Sequence, residues 1–253
     1  MHYSSRHSRI LALLAEKGTI GVGDLAQRLE VSVETVRRDI RTLSGRGDIV
    51  RRHGEIGLPS GVNEAPFERR MRENRPAKEM IARLAASTIR DGESVMFDTG
   101  ATTSILARAL LNHRRLTVVT NSSDIARTLA TVNGNKVYMA GGELRSDSGA
   151  ALGFSAIEFV NRFSVDHAII SAGGISASTG VMDYNLEEAQ FGQAVLVRGR
   201  RRVVVADASK FGQKGLVQVC GLSEIDELIV NRAPPDDLVK ALQTAEVAIQ
   251  IAS

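Results

Sequence analysis

Polar and glycine residues follow several apolar runs between residues 94 and 231, and their types suit phosphate binding. The apolar run at 94–97 is followed by Asp98, a glycine turn, and then Thr102 and Thr103. Free N–H groups at a helix start, hydroxyl side chains and a glycine that permits close approach together form a phosphate cradle. Other runs end in Thr120 and Asn121, in Gly141 and Gly142, and in Asp207, Ser209 and Lys210, where a lysine can neutralise a phosphate.

Two nucleotide-binding patterns are missing from these turns. The glycine turn after Asp98 is not followed by the Gly-Lys-Ser/Thr of a Walker A loop, and no apolar run leads into GxGxxG. The sequence therefore disfavours a nucleotide at this place.

The elements that carry these turns alternate between two patterns. Near-continuous apolar runs, typical of strands buried on both faces, are separated by helical patterns, which favours a mostly parallel sheet in an α/β domain. Because ligands of such sheets lie beyond the carboxyl ends of the strands, we expect the polar residues to gather at one edge. The runs with their turns are residues 94–103, 116–123, 136–143, 167–174, 201–210 and 226–231.

A second set of residues with chemical potential is a cluster of arginines near the N-terminus. Ser32 can cap a helix in which Val36, Ile40 and Leu43 recur at three- and four-residue steps and face inward. The opposite, solvent-facing side then carries Glu34, Arg37, Arg38 and Arg41. The planar guanidinium of arginine can bond two acceptors of guanine, or two phosphate oxygens, at once.

The segments around this helix complete a known DNA-binding arrangement. Helical patterns at 4–17 and about 24–29 precede it, and residues 47–57 have the glycine turns of a β-hairpin. That hairpin would bring Arg51, Arg52 and His53 to the DNA backbone or minor groove. We therefore predict a winged helix-turn-helix for double-stranded DNA, whose third helix lies in the major groove.

Charge and composition agree with this division. The net charge is +3; residues 1–75 hold 14 Lys+Arg against 10 Asp+Glu, and the other residues hold 18 against 19. A polyanionic partner for the N-terminal part is the simplest explanation. No apolar run approaches the roughly 18 residues of a membrane span, and Glu16 and Lys17 follow the first run at once, so we expect a cytoplasmic protein without membrane association. The one cysteine, Cys220, gives no disulfide or zinc site, and we expect no metal or cofactor.

The domain organisation follows from these patterns. Residues 1–57 form the predicted winged helix-turn-helix. Residues 58–76, with three prolines and many charges, read as a linker because proline cannot donate to a hydrogen-bond ladder. Residues 77–253 form the predicted α/β domain.

The chain resembles the DeoR family of bacterial transcriptional regulators over nearly its whole length. In the first part the resemblance is carried by "DLAQRLEVSVETVRRDIRTLSGRG" and "RRHGEIG", and it departs from the family at Glu55, where a second glycine usually follows the histidine. In the second part it is carried by "FDTGATT", "VVTNS", "MAGGELR", "GVMDYNLEEAQ" and "VVVADASKFG".

This resemblance implies a sensor domain similar to ribose-phosphate isomerases that binds a phosphorylated sugar or related metabolite, with the effector usually relieving repression. The DNA-binding residues predicted for the winged helix are Ser32, Glu34, Thr35, Arg37, Arg38, Arg41, Arg51, Arg52 and His53. The implied effector-binding residues are Asp98, Gly100, Thr102, Thr103, Thr120, Asn121, Gly141, Gly142, Arg145, Glu188, Asp207 and Lys210.

Two functions from different classes fit these residues. The first is a repressor of a carbohydrate or polyol catabolic operon, a homo-oligomer (dimer or tetramer) released from operator DNA by its phosphorylated effector. The second is a sugar-phosphate isomerase-like enzyme, because Asp98, Glu188 and Lys210 include groups able to move a proton next to a carbonyl. An isomerase has no use for a basic winged helix, so the sequence favours the repressor, and we assign no catalytic residue.

Overall fold

The chain folds as two units, Met1–Arg70 and Met71–Ser253. Each unit buries its own apolar side chains. The computed structural model describes residues 5–17, 19–45, 48–52, 55–57 and 64–253. Within these ranges, no helix has both the length and the apolar character that crossing a membrane requires.

The first unit is a small helical body with a three-stranded antiparallel sheet. Its apolar positions recur at helical spacing, so Ile10, Ile40 and Leu43 are fully buried in one core. The strands pair in the order β1-β3-β2, which makes the hairpin of a wing. The elements are α1 (Ser5–Lys17), β1 (Thr19–Gly21), α2 (Val22–Leu29), α3 (Val33–Gly45), β2 (Val50–Arg52), β3 (Glu55–Gly57) and α4 (Phe67–Arg70).

The second unit alternates strands and helices, as its sequence pattern predicts. Short 3₁₀ helices at Ala208–Lys210 and Leu222–Glu224 interrupt the alternation. The elements are α5 (Arg75–Ser87), β4 (Ser94–Phe97), α6 (Ala101–Ala109), β5 (Thr117–Thr120), α7 (Ser123–Leu129), β6 (Lys136–Met139), α8 (Phe154–Val160), β7 (Val165–Ser171), β8 (Gly174–Ser176), β9 (Gly180–Asp183), α9 (Leu186–Val197), β10 (Gly199–Ala206), β11 (Val217–Cys220), β12 (Glu227–Val230), α10 (Asp236–Thr244) and β13 (Ala248–Ile251).

One parallel sheet forms the centre of this unit. Within residues 71–253, all of which the structure describes, seven strands pair in the order β13-β12-β10-β7-β4-β5-β6, every pair parallel. Helices α5, α6 and α7 pack on one face, and α8, α9 and α10 pack on the other. The inner strands are buried on both sides, so Val203–Ala206 are all apolar, and each such valine stabilises the fold by roughly 1.5 to 3 kcal/mol. The edge strands β6 and β13 are partly exposed. This confirms the predicted fold class.

The order of the strands reverses between β4 and β7. The chain runs from β4 through β5 to β6 on one side, and then returns to β7 on the other side of β4. A crevice opens at such a reversal, outside the carboxyl ends of the strands. A second sheet, β11-β9-β8, follows β7, and a bridge between Ile175 and Phe211 holds the segment after β10 beside it.

Candidate functional site

The outer face of α3 presents a row of arginines to solvent. Arg37 and Arg41 each lie near the Glu34 carboxylate, with N–O distances of 3.6 and 3.8 Å, and all three side chains are more than half exposed. Such exposed pairs contribute little to stability, so another anion can replace Glu34 at low cost. Arg38 is also exposed, and it has no ion-pair partner among the described residues.

The start of α3 is capped as the sequence predicts. The N–H of Thr35 donates to Ser32 Oγ at 3.2 Å, and the two hydroxyl oxygens lie 2.8 Å apart. This contact satisfies an N–H group of the first helical turn that would otherwise lack a partner. Both residues stay predicted DNA contacts, and the cap fixes where the helix begins.

Asp39, which the sequence analysis did not identify, anchors α3 to α1. Its carboxylate is almost fully buried, accepts hydrogen bonds from the Arg6 guanidinium and lies 3.1 Å from His7 Nε2. The bond from Arg6 holds the pKa of Asp39 below its ordinary value. An ion pair between residues 33 positions apart leaves no periodic signal, so only the folded chain reveals it.

The wing carries the second set of predicted DNA contacts. Arg51, on β2, is exposed. Arg52 ends the same strand, but its side chain and the whole of His53 lie outside the described residues. At the departure from the family pattern, Glu55 accepts a hydrogen bond from Thr19 Oγ1 at 2.6 Å, which ties β3 to β1.

In the second unit, Asp98 lies at the strand reversal, immediately after β4. Its Oδ2 accepts hydrogen bonds from the N–H and the hydroxyl of Ser171, the last residue of β7, at 2.9 and 3.2 Å. Its Oδ1 is shut off from solvent and has no hydrogen-bond partner among the described residues. Burial raises the pKa of Asp98 to about 7, the nearby Asp183 adds to this, and the bonds from Ser171 oppose it.

The turn after Asp98 requires a glycine. A Cβ at Gly100 would lie 1.9 Å from Ser171 Oγ, so the turn after β4 approaches the end of β7 too closely for a side chain. Gly100 is the N-cap residue of α6, and no side chain caps the helix there. Thr102 and Thr103 are buried in the first turn, and the Thr103 hydroxyl donates to the carbonyl of Gly100 at 3.1 Å. The backbone N–H groups of this turn are therefore the donors that the phosphate hypothesis needs.

The residues after β5 form a buried network. Thr99 Oγ1 donates to Asn121 Oδ1 at 2.8 Å, and Asn121 Nδ2 donates to the carbonyl of Ala151 at 2.9 Å. The Thr120 hydroxyl accepts from the N–H of Ser122 at 3.1 Å. Thr120 and Asn121 are wholly buried, so in this structure they hold the loops in place. Thr99 is a member of the network that the sequence analysis missed.

Arg145 and Glu188 come together, as the predicted site would require. Arg145 Nη1 lies 3.5 Å from Glu188 Oε1, and Arg145 Nε lies 3.4 Å from Asp147 Oδ1. Glu188 stands in the first turn of α9. Gly141 and Gly142, after β6, are exposed, and Gly142 has a φ of 145°, a conformation that favours glycine.

Asp207, after β10, joins a further group of polar residues. The Asn74 amide donates to Asp207 Oδ1 at 3.0 Å and to Ser209 Oγ at 3.1 Å. The N–H of Ala208 donates to Asn231 Oδ1 at 2.8 Å. A cavity of about 380 Å³ opens here, lined by Asn74, Ala77, Asp207, Ala208, Ser209, Asn231 and Arg232. Asn74 and Asn231 were not predicted, since they lie far from Asp207 in sequence.

Lys210 ends the 3₁₀ helix that follows Asp207. Its N–H donates to the Asp207 carbonyl at 3.0 Å, and its side chain is half-buried. The ammonium group has no ion-pair partner among the described residues. A cation of this kind at the carboxyl edge of the sheet is available to an anionic ligand.

This chain has a winged helix-turn-helix, followed by a parallel α/β domain with polar groups at the carboxyl ends of its strands. That combination is typical of DNA-binding transcriptional regulators with a separate sensor domain. Residues 6–61 match the model of the DeoR-like helix-turn-helix domain, and residues 73–232 match that of the DeoR C terminal sensor domain. The chain belongs to the DeoR family.

Relatives similar over nearly their whole length support this assignment. The chain is 31% identical to the glycerol-3-phosphate regulon repressor of Escherichia coli K12 over 251 residues, 99% of this chain and 100% of that protein. It is 35% identical to the HTH-type transcriptional repressor CsqR of the same organism over 244 residues, 96% and 94% of the two chains. Among solved structures, ribose 5-phosphate isomerase A of Methanocaldococcus jannaschii matches 56% of each chain with a TM-score of 0.42 and 18% identity.

Proposed function

We propose that this regulator is a cytoplasmic repressor of a carbohydrate or polyol catabolic operon. It binds double-stranded operator DNA as a homo-oligomer, dimer or tetramer, through α3 and the wing. The observation that carries this part is the exposed arginine face of α3, which Asp39 holds on the body of the first unit. The names of the two relatives, both repressors, support it further.

The proposed effector is a phosphorylated sugar or polyol at the carboxyl edge of β4, β7 and β10. Its phosphate would bind the uncapped N–H groups at the start of α6 and the ammonium of Lys210. Its hydroxyls would bond to carboxyl groups of the edge, among which Asp98 has an unsatisfied oxygen. The relative named for the glycerol-3-phosphate regulon makes polyol phosphates the first candidates.

Asn74 is the proposed link between effector and DNA. It lies four positions after the last residue of the first unit, and its amide holds Asp207 and Ser209. An effector that bonds to Asp207 competes for the same carboxylate and alters the start of α5. This change would pass along the chain to the DNA-binding unit.

We propose binding without turnover at this site. Glu188, one of the candidate proton-transfer groups, is held by Arg145. The test is incubation of the purified full chain with pentose and hexose phosphates. Turnover at rates of about 1 to 1000 per second would favour the isomerase-like alternative.

The ligand experiment is a thermal-shift screen of the full chain. We expect phosphorylated sugars and polyols, including glycerol 3-phosphate, to raise the melting temperature, because a ligand that binds only the native state stabilises it by mass action. The matched controls are the same compounds without the phosphate. Equal shifts with and without phosphate would contradict the proposed role of the anion.

The DNA experiment measures affinity against salt. If a dimer contacts roughly 6 to 10 phosphates, affinity falls by about 10³ to 10⁵ between 50 and 200 mM salt. A flat dependence would argue against DNA as the partner of the first unit.

A further inference from the structure

Four positive side chains lie together at the amino-terminal edge of the central sheet, opposite the edge proposed for the effector. Arg90 lies in the loop before β4. Arg114 and Arg115 precede β5, and Lys136 is the first residue of β6. These three strands are neighbours whose first residues pair with one another, so with strands about 4.8 Å apart the loops span about 10 Å. Together the four side chains form the amino-edge basic patch.

The positive charge of this patch is not neutralised within the second unit. All four side chains are exposed, and none has an ion-pair partner among the residues that the structure describes. The same loops carry two acids, both of which already have partners. Asp91 Oδ1 accepts a hydrogen bond from the Arg114 N–H at 2.9 Å, and Glu93 Oε2 lies 2.8 Å from Nε2 of the buried His167. A surplus of positive charge therefore faces solvent.

Hydrogen bonds between the loops fix the backbone that carries the patch. The N–H of Gly92 donates to the carbonyl of Arg114 at 2.9 Å, and the N–H of Arg115 donates to the carbonyl of Asn133 at 3.0 Å. Arg115 has a φ of 54°, a left-handed conformation that glycine and asparagine adopt more readily than arginine. The backbone alone therefore gives no reason for an arginine at this position. A fixed array of cations loses little conformational freedom when it binds an anion.

The surroundings of the patch favour a nucleic acid over a protein as its partner. The exposed side chains of residues 90–93, 112–115 and 131–136 are all polar or charged, whereas a protein interface has an apolar core. Arginine, lysine, threonine and asparagine, which are the types present beside Asp91, are residues that contact DNA phosphates. Because the phosphates of one DNA strand advance about 3.4 Å along the helix axis, a patch of about 10 Å matches about three of them.

We propose that the amino-edge basic patch binds the phosphate backbone of duplex DNA that flanks the operator. The contact is a second one, made by the sensor unit, and it adds affinity without reading sequence. It rests on the proposed function, because the first unit must first bring the chain to DNA. Since both units belong to one chain, DNA held by the first unit is at a high effective concentration for the second.

The first test compares two duplexes that contain the same operator, selected by the full chain from random-sequence DNA. One duplex ends with the operator, and the other extends it by about two helical turns on each side. For the wild type, we expect the plot of log affinity against log salt to be steeper on the long duplex by about 2 to 3 per bound chain, because about three further phosphates release counterions. Anisotropy of the labelled duplexes measures both slopes.

Removal of the patch should remove this difference in steps. Arg114→Ala combined with Arg115→Gly should reduce the difference by about half, and the further changes Arg90→Ala and Lys136→Ala should abolish it. The hydrogen bonds of residues 114 and 115 named above are made by backbone groups, so these changes keep them.

The matched control for the patch variants is Lys214→Ala combined with Lys240→Ala. It removes two exposed positive charges of the second unit outside the patch, and it should keep the full difference between the duplexes. All variants should bind the short duplex as the wild type does, and circular dichroism melts check that each one folds.

The second test locates the contact on the DNA. Cys220, the one cysteine of the chain, is buried and shielded from thiol reagents. Arg114→Cys therefore provides a single attachment point for an iron–EDTA reagent, which cleaves the DNA backbone close to it. We expect cuts in the flanks of the long duplex, and none from the control variant Lys240→Cys. Uncut flanks in the Arg114 variant would contradict the contact.

The outcomes separate this inference from the proposed function. A wild type that binds neither duplex would overturn the proposed function and the inference with it. Equal salt dependence on both duplexes, or a difference that the variant without all four cations retains, would overturn the inference alone. The patch would then fit an acidic protein surface instead.

Discussion

At the residue scale, the arginines of α3 differ in how they are engaged before DNA arrives. Arg37 and Arg41 share the Glu34 carboxylate. Each must give up this ion pair to bind a phosphate, which reduces the net binding free energy that it contributes. Arg38 gives up no ion pair with a described residue. Of the three, Arg38 is therefore the side chain whose loss should weaken DNA binding most directly.

Replacement of Arg38 by alanine should weaken operator binding by about 1 to 3 kcal/mol, or about 5- to 150-fold, if its fork bonds to a base edge. Fluorescence anisotropy with labelled operator measures this. Arg200→Ala is the matched control, since it also removes one positive charge, from an exposed side chain of the second unit. Equal affinity of the Arg38 variant and wild type would exclude the recognition face assigned to α3.

Asp98 gives a second prediction at this scale, through pH. Because its pKa is raised to about 7 in the folded chain, the native state holds a proton that the unfolded chain releases near pH 4. Stability therefore falls as pH rises from about 4 to about 7, by at most about 1.4 kcal/mol per pH unit. Asp98→Asn removes the titrating group and with it this loss. The melting temperature of the variant minus that of the wild type should therefore become more positive from pH 5 to pH 8. A difference that does not change with pH would show that Asp98 titrates normally.

At the scale of elements, the position of α3 depends on the contact between Asp39 and α1. Asp39→Asn keeps the size of the side chain but removes the charge that Arg6 binds. We expect a loss of about 1 to 3 kcal/mol at pH 7. Because the pKa of Asp39 is lowered, the stabilisation is present above about pH 4 and disappears as pH falls through the folded value.

Hydrogen exchange of the α3 amides in the full chain measures this effect. The matched control is Asp24→Asn, whose carboxylate pairs with Arg28 on the exposed surface of α2. Unchanged protection of α3 in the Asp39 variant would show that other contacts alone position the recognition helix.

The start of α5 gives the second prediction at this scale. Asn74 has a φ of 51°, and glycine adopts this conformation without strain, so Asn74→Gly removes the amide and keeps the backbone. We expect the variant to bind effector, seen as a thermal shift, but to need a higher effector concentration to release DNA. Asn133→Gly, also at a φ of 51°, is the control. Normal release by the Asn74 variant would remove this residue from the coupling.

Elements with strong periodicity were predictable, and long-range polar pairs were not. The spacing of Val36, Ile40 and Leu43 fixes the inner face of α3, and the apolar runs of the inner strands are typical of strands buried on both sides. No such rule connects Asn74 with Asp207, 133 positions apart. The pattern also placed Thr120 and Asn121 at a strand end without indicating that their side chains turn inward, because that depends on Thr99 and Ala151.

At the scale of the whole molecule, each unit has one main task. The first unit supplies exposed positive charge on an anchored helix. The second supplies, at the carboxyl edge of its sheet, the carboxyl group of Asp98 and Lys210, which has no ion pair with a described residue. A regulator of this kind works only if a ligand of the second unit changes the DNA affinity of the first. By linkage, DNA must then weaken effector binding by the same factor.

The most direct test is effector-driven release of operator DNA, followed by anisotropy, for the wild type, Lys210→Ala and Lys214→Ala. The Lys214 variant is the control, because it removes the same charge from an exposed position four residues further on. We expect all three proteins to bind DNA equally, and the phosphorylated effector to release the wild type and the Lys214 variant but not the Lys210 variant. Release of the Lys210 variant at the wild-type effector concentration would contradict the account.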